Sequence, residues 1–234
     1  EILIGLVGSE MCIRDRRWLI LRRKNALALD KILQYAKEEF MEKGYEGASM
    51  RTIAEHSGYT TGMLYSRFAD KNQLFKELVE EGANKLFEYY SYVQDEFASF
   101  SAKKQRDEMH SYVDNKIDQM IDIIYDYFDA FKLIVCKSTG SEYEYYIEKM
   151  IDIETKNTER FIYILNEAGY HTNEIRADLS HMLASALFNG MFEVVAHDFP
   201  KDDARIYVKQ LQDFFNAGWD KLLGLPSNWK KSIK

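Results

Sequence analysis

The chain has 234 residues, 46% of them hydrophobic, with a formal net charge of -7, two Pro and two Cys. That length allows one or two domains with a true core. Two cysteines, one of them in an anomalous leader, exclude a disulfide framework or a cysteine metal site and fit a cytosolic compartment.

The first residues, Glu1 to Arg16, have no helical period, cap or turn logic. They meet Glu10, Arg14, Asp15 and Arg16 too soon for a membrane span, and they lack the basic start and small-residue cleavage site of a signal peptide. Gly5 to Arg16, GLVGSEMCIRDR, resembles a translated sequencing adapter joined to the reading frame. Residues 1–22 are therefore expected to be a disordered or artefactual leader, a disordered natural leader being the equivalent alternative. From Arg17 to Lys76 there are 11 Lys or Arg against 7 Asp or Glu, and from Glu77 to Lys234 there are 18 against 28. A modestly basic head is thus joined to an acidic body, which allows local attraction to phosphates despite the acidic whole.

Leu29, Ile32, Leu33, Ala36 and Phe40 recur at helical spacing and predict a first helix over Asn25 to Lys43, ended by Gly44. Ser49 caps a second helix, Met50 to His56; Gly58 takes the turn; Thr60 caps a third, Thr61 to Phe68; and Asp70 caps a fourth that runs through Leu86. Residues 23–72 form the head in this reading, 73–226 the body and 227–234 a tail. In the body one apolar face runs from Met109 to Phe131, a further helix runs from Tyr143 towards Gly169, Asn173 caps the next, and Pro200 separates it from the last. Only Pro200 and Pro226 occur, both late, and nothing alternates as a sheet would, so the fold class is all-α.

Two short helices across a Gly turn between Ser49 and Phe68 have the layout of a helix-turn-helix. The first turn of such a helix reaches base edges in the major groove. Leu64 and Phe68, at i and i+4, face the core; Thr61 and Ser66 offer hydrogen bonds to bases, Gly62 a close backbone approach, and Tyr65 and Lys71 phosphate contacts. By spacing alone, the same pattern also describes a small helical subdomain with a solvated face.

The wording of this stretch closely resembles the TetR family of bacterial transcriptional regulators. The resemblance covers Asn25 to Leu78 and rests on Lys43-Gly44-Tyr45, Ser49, Ile53-Ala54, Gly58, Thr60, Gly62, Leu64, Tyr65, Phe68 and Lys71. It implies DNA contacts at Thr61, Tyr65, Ser66, Arg67 and Lys71, with Thr52 joining; Ser49, Thr60 and Gly62 complete the candidate set. Thr61 and Arg67 depart from the residues frequent in relatives, so no operator is inherited.

The same resemblance implies a homodimer on double-stranded DNA, with a larger body that pairs the subunits and holds a small-molecule effector. For pairing, the last helix offers Leu211, Phe214, Phe215 and Trp219, and the one before it Ala186, Leu187 and Gly190. For a pocket, Tyr125, Phe128, Phe131, Tyr143, Tyr146, Met150, Phe161, Phe188 and Phe192 are available; core packing explains any one of them equally well. His181 and His197 are too isolated for a metal site, His110 and His171 fall near helix ends, and no cofactor motif or membrane partner is indicated. A ligand-responsive repressor is the leading expectation. A helical-bundle enzyme or lipid carrier would need converging polar groups such as Asp152 and Glu154, whose spacing specifies no chemistry, and a protein-binding adaptor is the third possibility.

Overall fold

The computed structural model describes residues 7–225, with side chains described from Leu27 onward; the expected start of the leader and the tail 227–234 lie outside these residues. The chain divides into two units, with the boundary inside a helix between Leu78 and Val79, six residues beyond the expected edge of the head. The first helix, α1 (Val7–Gly47), begins far upstream of Asn25, so most of the expected leader is helical. The physical reason is that no Gly or Pro stands between Ser9 and Lys43 to stop a helix once started. Gly44 does break it, with φ 71° and ψ 171°. That break turns Tyr45 back to stack on Phe40 at 6.1 Å and to meet the edge of Phe75 at 5.3 Å.

The head continues with α2 (Met50–Ser57), α3 (Thr61–Arg67) and the first turns of α4 (Lys71–Ala98). Ile32, Ala36, Phe40, Ile53, Leu64, Leu74 and Phe75 are completely buried there. Burying each large apolar side chain contributes about 1.5–3 kcal/mol, which is why seven-residue α3 can hold its shape although it is too short to be stable alone.

In the body, α4 continues and is followed by α5 (Ala102–Asp126), α6 (Phe128–Lys137), α7 (Tyr146–Glu167), α8 (Ala177–Ala196) and α9 (Lys201–Leu223). The apolar face expected from Met109 to Phe131 is two helices, because the chain leaves helical geometry at Tyr127 (φ -121°, ψ 37°). That break is held against α4: a Cβ at Gly82 would lie 2.7 Å from the Cβ of Tyr127. The Tyr127 hydroxyl donates to Glu81 Oε1 at 2.6 Å. α8 packs on α6, α7 and α9, and α5 packs on α7 and α9. By length and composition α8 is apolar enough to cross a membrane; Ala184, Phe188, Met191, Phe192 and Val195 are instead buried within the unit.

Asn173 does not cap α8, whose cap position is Arg176. Its backbone N–H donates to Leu223 O at 3.0 Å and its side-chain amide to Leu222 O at 2.9 Å. It therefore satisfies the orphan carbonyls at the end of α9 and fastens the α7–α8 connection to that end.

Candidate nucleic-acid interface

The candidate reading helix, α3, and the turn before it are set by caps and by contacts from α1 and α4. Ser49 Oγ accepts from Thr52 N at the start of α2, a long contact of 3.5 Å. The backbone N–H of Ser49 itself donates to Glu39 Oε1 at 3.1 Å, so a buried carboxylate on α1 anchors the entry to α2. Gly58, at φ 79°, ends α2 in the left-handed conformation, and Tyr59 N then bonds Ala54 O at 2.9 Å. Thr60 Oγ1 accepts from Met63 N at 3.2 Å and starts α3.

Asp70 Oδ1 accepts from Gln73 N at 2.8 Å, while Gln73 Oε1 accepts from Ala69 N at 2.6 Å, so the first turn of α4 is capped reciprocally. Lys71 Nζ donates to Glu46 O at 3.1 Å and to Ala48 O at 3.2 Å and lies 4.6 Å from the centre of the Tyr45 ring. Lys71 therefore binds the start of α4 to the turn before α2, and the chain's own carbonyls take two of the three ammonium donors expected for phosphate.

On α3, Leu64 is fully buried and Phe68 nearly so, as their spacing predicts. Gly62, Tyr65, Ser66 and Arg67 are exposed, Tyr65 to 52% of its surface, while Thr61 is partly covered. Ser66 Oγ donates to Met63 O at 2.7 Å, which leaves its oxygen as an outward acceptor. A Cβ at Gly62 would meet nothing within 4 Å, so the protein's own packing does not require glycine there. Thr52 sits partly exposed on α2 and Thr60 is exposed at the turn.

The aromatic residues expected to line an effector pocket are placed differently from one another. Phe131, Tyr146, Met150, Phe188 and Phe192 are buried core; Tyr125, Phe128 and Tyr143 are partly exposed. Tyr146 donates to Ala83 O at 2.8 Å and Tyr125 to Phe199 O at 2.7 Å. Phe161 alone among the nine borders a cavity of about 120 Å³ between α4, α5, α7, α8 and α9. Its aromatic walls also include Phe97, Tyr112 and Trp219, and its polar lining includes Gln94, Glu154, Asn157 and Gln212. Glu154 and Gln94 lie 60 residues apart, and nothing in either local sequence marks them as partners.

Of the residues expected to pair subunits, Leu187 and Trp219 border this cavity and Phe215 is buried. A Cβ on Gly190 would stand 3.0 Å from Leu211, so this pair permits close packing of α8 on α9 within one chain. Ala186 and Phe214 face outward, Phe214 being 72% exposed, and Met182 and Ile206 join them at 67% and 60%.

His110 lies within α5 and not near its ends; its Nε2 is 2.8 Å from Asp220 Oδ1. His181 has company that its sequence neighbours do not reveal: Glu148, Asp152 and His181 each bring a ligand atom within 4.8 Å of the others at the surface.

Residues 32–78 match the family model described as bacterial regulatory proteins, tetR family. The repressor AcnR of Corynebacterium efficiens is 39% identical over 61 residues, 26% of this chain and 32% of that protein, so the match spans about a third of the curated relative. YfiR of Bacillus subtilis, an uncharacterized HTH-type regulator, is 26% identical over 137 residues, 56% of this chain and 62% of that one.

Among solved structures, a TetR-like regulator from Rhodococcus sp. RHA1 is similar with a TM-score of 0.54 at 15% identity, covering 82% of this chain and 97% of the other. CifR, solved with a 26-bp operator, gives 0.53 at 20% identity, covering 79% and 94%. These likenesses show the all-helical fold of both units. With the geometry of the α2–α3 turn, the match over residues 32–78 shows that the head is similar to that of bacterial regulatory proteins of the tetR family.

Proposed function

We propose that the chain is a ligand-responsive transcriptional repressor that acts in the cytoplasm as a homodimer and leaves a near-palindromic operator when a small apolar or aromatic inducer occupies its body. The observation that carries this reading is the outward face of α3, where Gly62, Tyr65, Ser66 and Arg67 stand exposed above a sealed core. The open space at Gly62 suits close approach of a phosphate backbone to the start of a helix. Thr61 and Ser66 read base edges, while Tyr65, Arg67 and the remaining Lys71 donor hold phosphates.

Two heads occupy half-sites about one helical turn, roughly 34 Å, apart. The exposed apolar residues Met182, Ala186, Ile206 and Phe214 on α8 and α9 support pairing through these helices. Inducer binding then shifts the population towards a dimer that no longer matches the half-site spacing.

The test is a selection of genomic fragments with purified protein at two salt concentrations, repeated with Gly62→Glu. A carboxylate at this position favours the helix N-terminus but repels phosphate. We expect an enriched near-palindrome whose binding weakens with salt and falls about 100-fold or more in the variant, since like charges brought together cost several kcal/mol. The variant should melt no lower than the parent. Equal enrichment by both proteins would sink the assignment of α3 as the reader.

A further inference from the structure

The cavity in the body has a lopsided charge. Among the described residues no Lys, Arg or His lines it, yet Glu154 does. Both of the Glu154 hydrogen bonds fall on one oxygen: Oε2 accepts from Tyr90 Oη at 2.6 Å and from Gln94 Nε2 at 2.7 Å. Gln94 Nε2 also contacts Tyr90 Oη, at 3.0 Å. These contacts fix the carboxyl group and supply neutral donors but no opposite charge. Buried carboxylates without a counter-charge are costly and are normally paired or protonated. The rest of the wall is aromatic, with Phe97 5.5 Å from Tyr112 and 5.9 Å from Phe161 between ring centroids, and Trp219 completes it.

We propose that this cavity takes a ring-sized monocation, an aromatic or cyclic ammonium whose charged nitrogen pairs with Glu154 and whose ring lies among Phe97, Phe161 and Trp219. The inference rests on the reading of the body as an effector domain and names the chemical class of that effector. Size supports a single ring: an apolar cavity of about 150 Å³ holds benzene, and this one is about 120 Å³. Charge supports a cation, because an ammonium supplies the missing partner and the aromatic rings stabilise it further through their negative faces. A carboxylate ligand would bring a second negative charge to a site with no basic side chain.

Burial pushes the Glu154 carboxyl group above its ordinary range, against the opposing hydrogen bonds from Tyr90 and Gln94. Burial likewise raises the Tyr90 phenol well above its usual value, with the neighbouring carboxylate adding to the effect, so it remains a donor. An arriving cation relieves the same desolvation.

The experiment compares three probes of similar size against the full chain by titration calorimetry at neutral pH: benzylamine, which is an ammonium there, benzyl alcohol and benzoate. Benzylammonium should bind at least ten times more tightly than benzyl alcohol, with benzoate weakest. Glu154→Gln keeps the shape and should erase that preference while leaving benzyl alcohol within about twofold. Absence of saturable benzylammonium binding, an equal or better affinity for the alcohol or benzoate, or a preference that survives Glu154→Gln would each overturn the proposal.

If the variant does not fold, the ranking in the parent protein decides alone. Operator release is read separately with the selected DNA. A protein that follows the ranking but binds no operator would refute the regulator reading and leave the ligand class standing. Release by benzoate, with no effect of the ammonium, would do the reverse.

Discussion

The head presents small and hydrogen-bonding residues outward on α3, whereas the body places a carboxyl group with neutral partners on the wall of a cavity. Around α3, capping contacts and the clamps from Glu39 and Lys71 satisfy the ends of the short helices, and the exposed face is left to small or hydrogen-bonding residues. In the body, two surface carboxylates on α5 find basic partners on α9: Arg205 meets Asp118 at 2.8 Å and also pairs with Asp122, which Lys201 reaches at 2.6 Å. The Glu154 carboxyl group, which lines the cavity, is held by the neutral donors of Tyr90 and Gln94. A head that recognises a large, charged surface, as proposed for this one, needs rigid backbone donors. A chamber for a small molecule needs one strong polar contact within an apolar wall.

The largest test of this contrast removes the support beneath the reader. Leu64→Ala empties a fully buried site and should cost about 2–5 kcal/mol in urea denaturation, with loss of operator binding at temperatures where the head unfolds. A loss below 1 kcal/mol would mean that α3 is not held by its core face. In the body, Gly82→Ala forces a methyl group to within 2.7 Å of Tyr127. Overpacking of this kind costs about 1–3 kcal/mol, seen as a lower denaturation midpoint. An unchanged midpoint would show that the α5–α6 break can slide away from α4. Thr60→Ala removes only the α3 cap and should cost about 1 kcal/mol, more visible in operator affinity than in the melting of the body.

The finest test is a pH slope. Because the folded Glu154 holds its proton more tightly than the unfolded chain does, stability is greatest below its ordinary value of 4.5 and falls as pH rises through the elevated folded value. Glu154→Gln should flatten that fall in midpoints measured between about pH 4 and 7. Glu96 acts oppositely: hydrogen bonds from Lys116 and Tyr112 hold it down at about 2, so its contribution is present above 4.5 and is lost only as acid approaches that lower value. A Glu154→Gln profile parallel to the parent would place the charge penalty elsewhere.

The two regions also differ in how much of them can be read from residues in order. The reader is legible because Ser49, Gly58 and Thr60 act on neighbours within five residues, and Leu64 and Phe68 declare their face by spacing. Lys71 was legible as a residue but not as a clamp, because its partners at Glu46 and Ala48 lie more than 20 positions back. The cavity was barely legible. Phe131 and Phe161 look alike in the chain, yet one is solid core and the other a wall, and the difference depends on five helices meeting. The length of α1 is illegible for another reason: the unusual leader offers no cap, yet from Ser9 onward it also has no Gly or Pro to stop a helix.

The Glu39 and Lys71 clamps set the terms on which DNA preference can be transplanted between such proteins. Both lie outside the segment proposed to read bases, Glu39 on α1 and Lys71 at the start of α4. A graft of Thr61 to Arg67 alone would leave the recipient's own struts in place, whereas an excised peptide from Ser49 to Phe68 would carry its caps but lose both anchors. On the proposed reading, specificity would travel with the seven residues of α3 and stability would not.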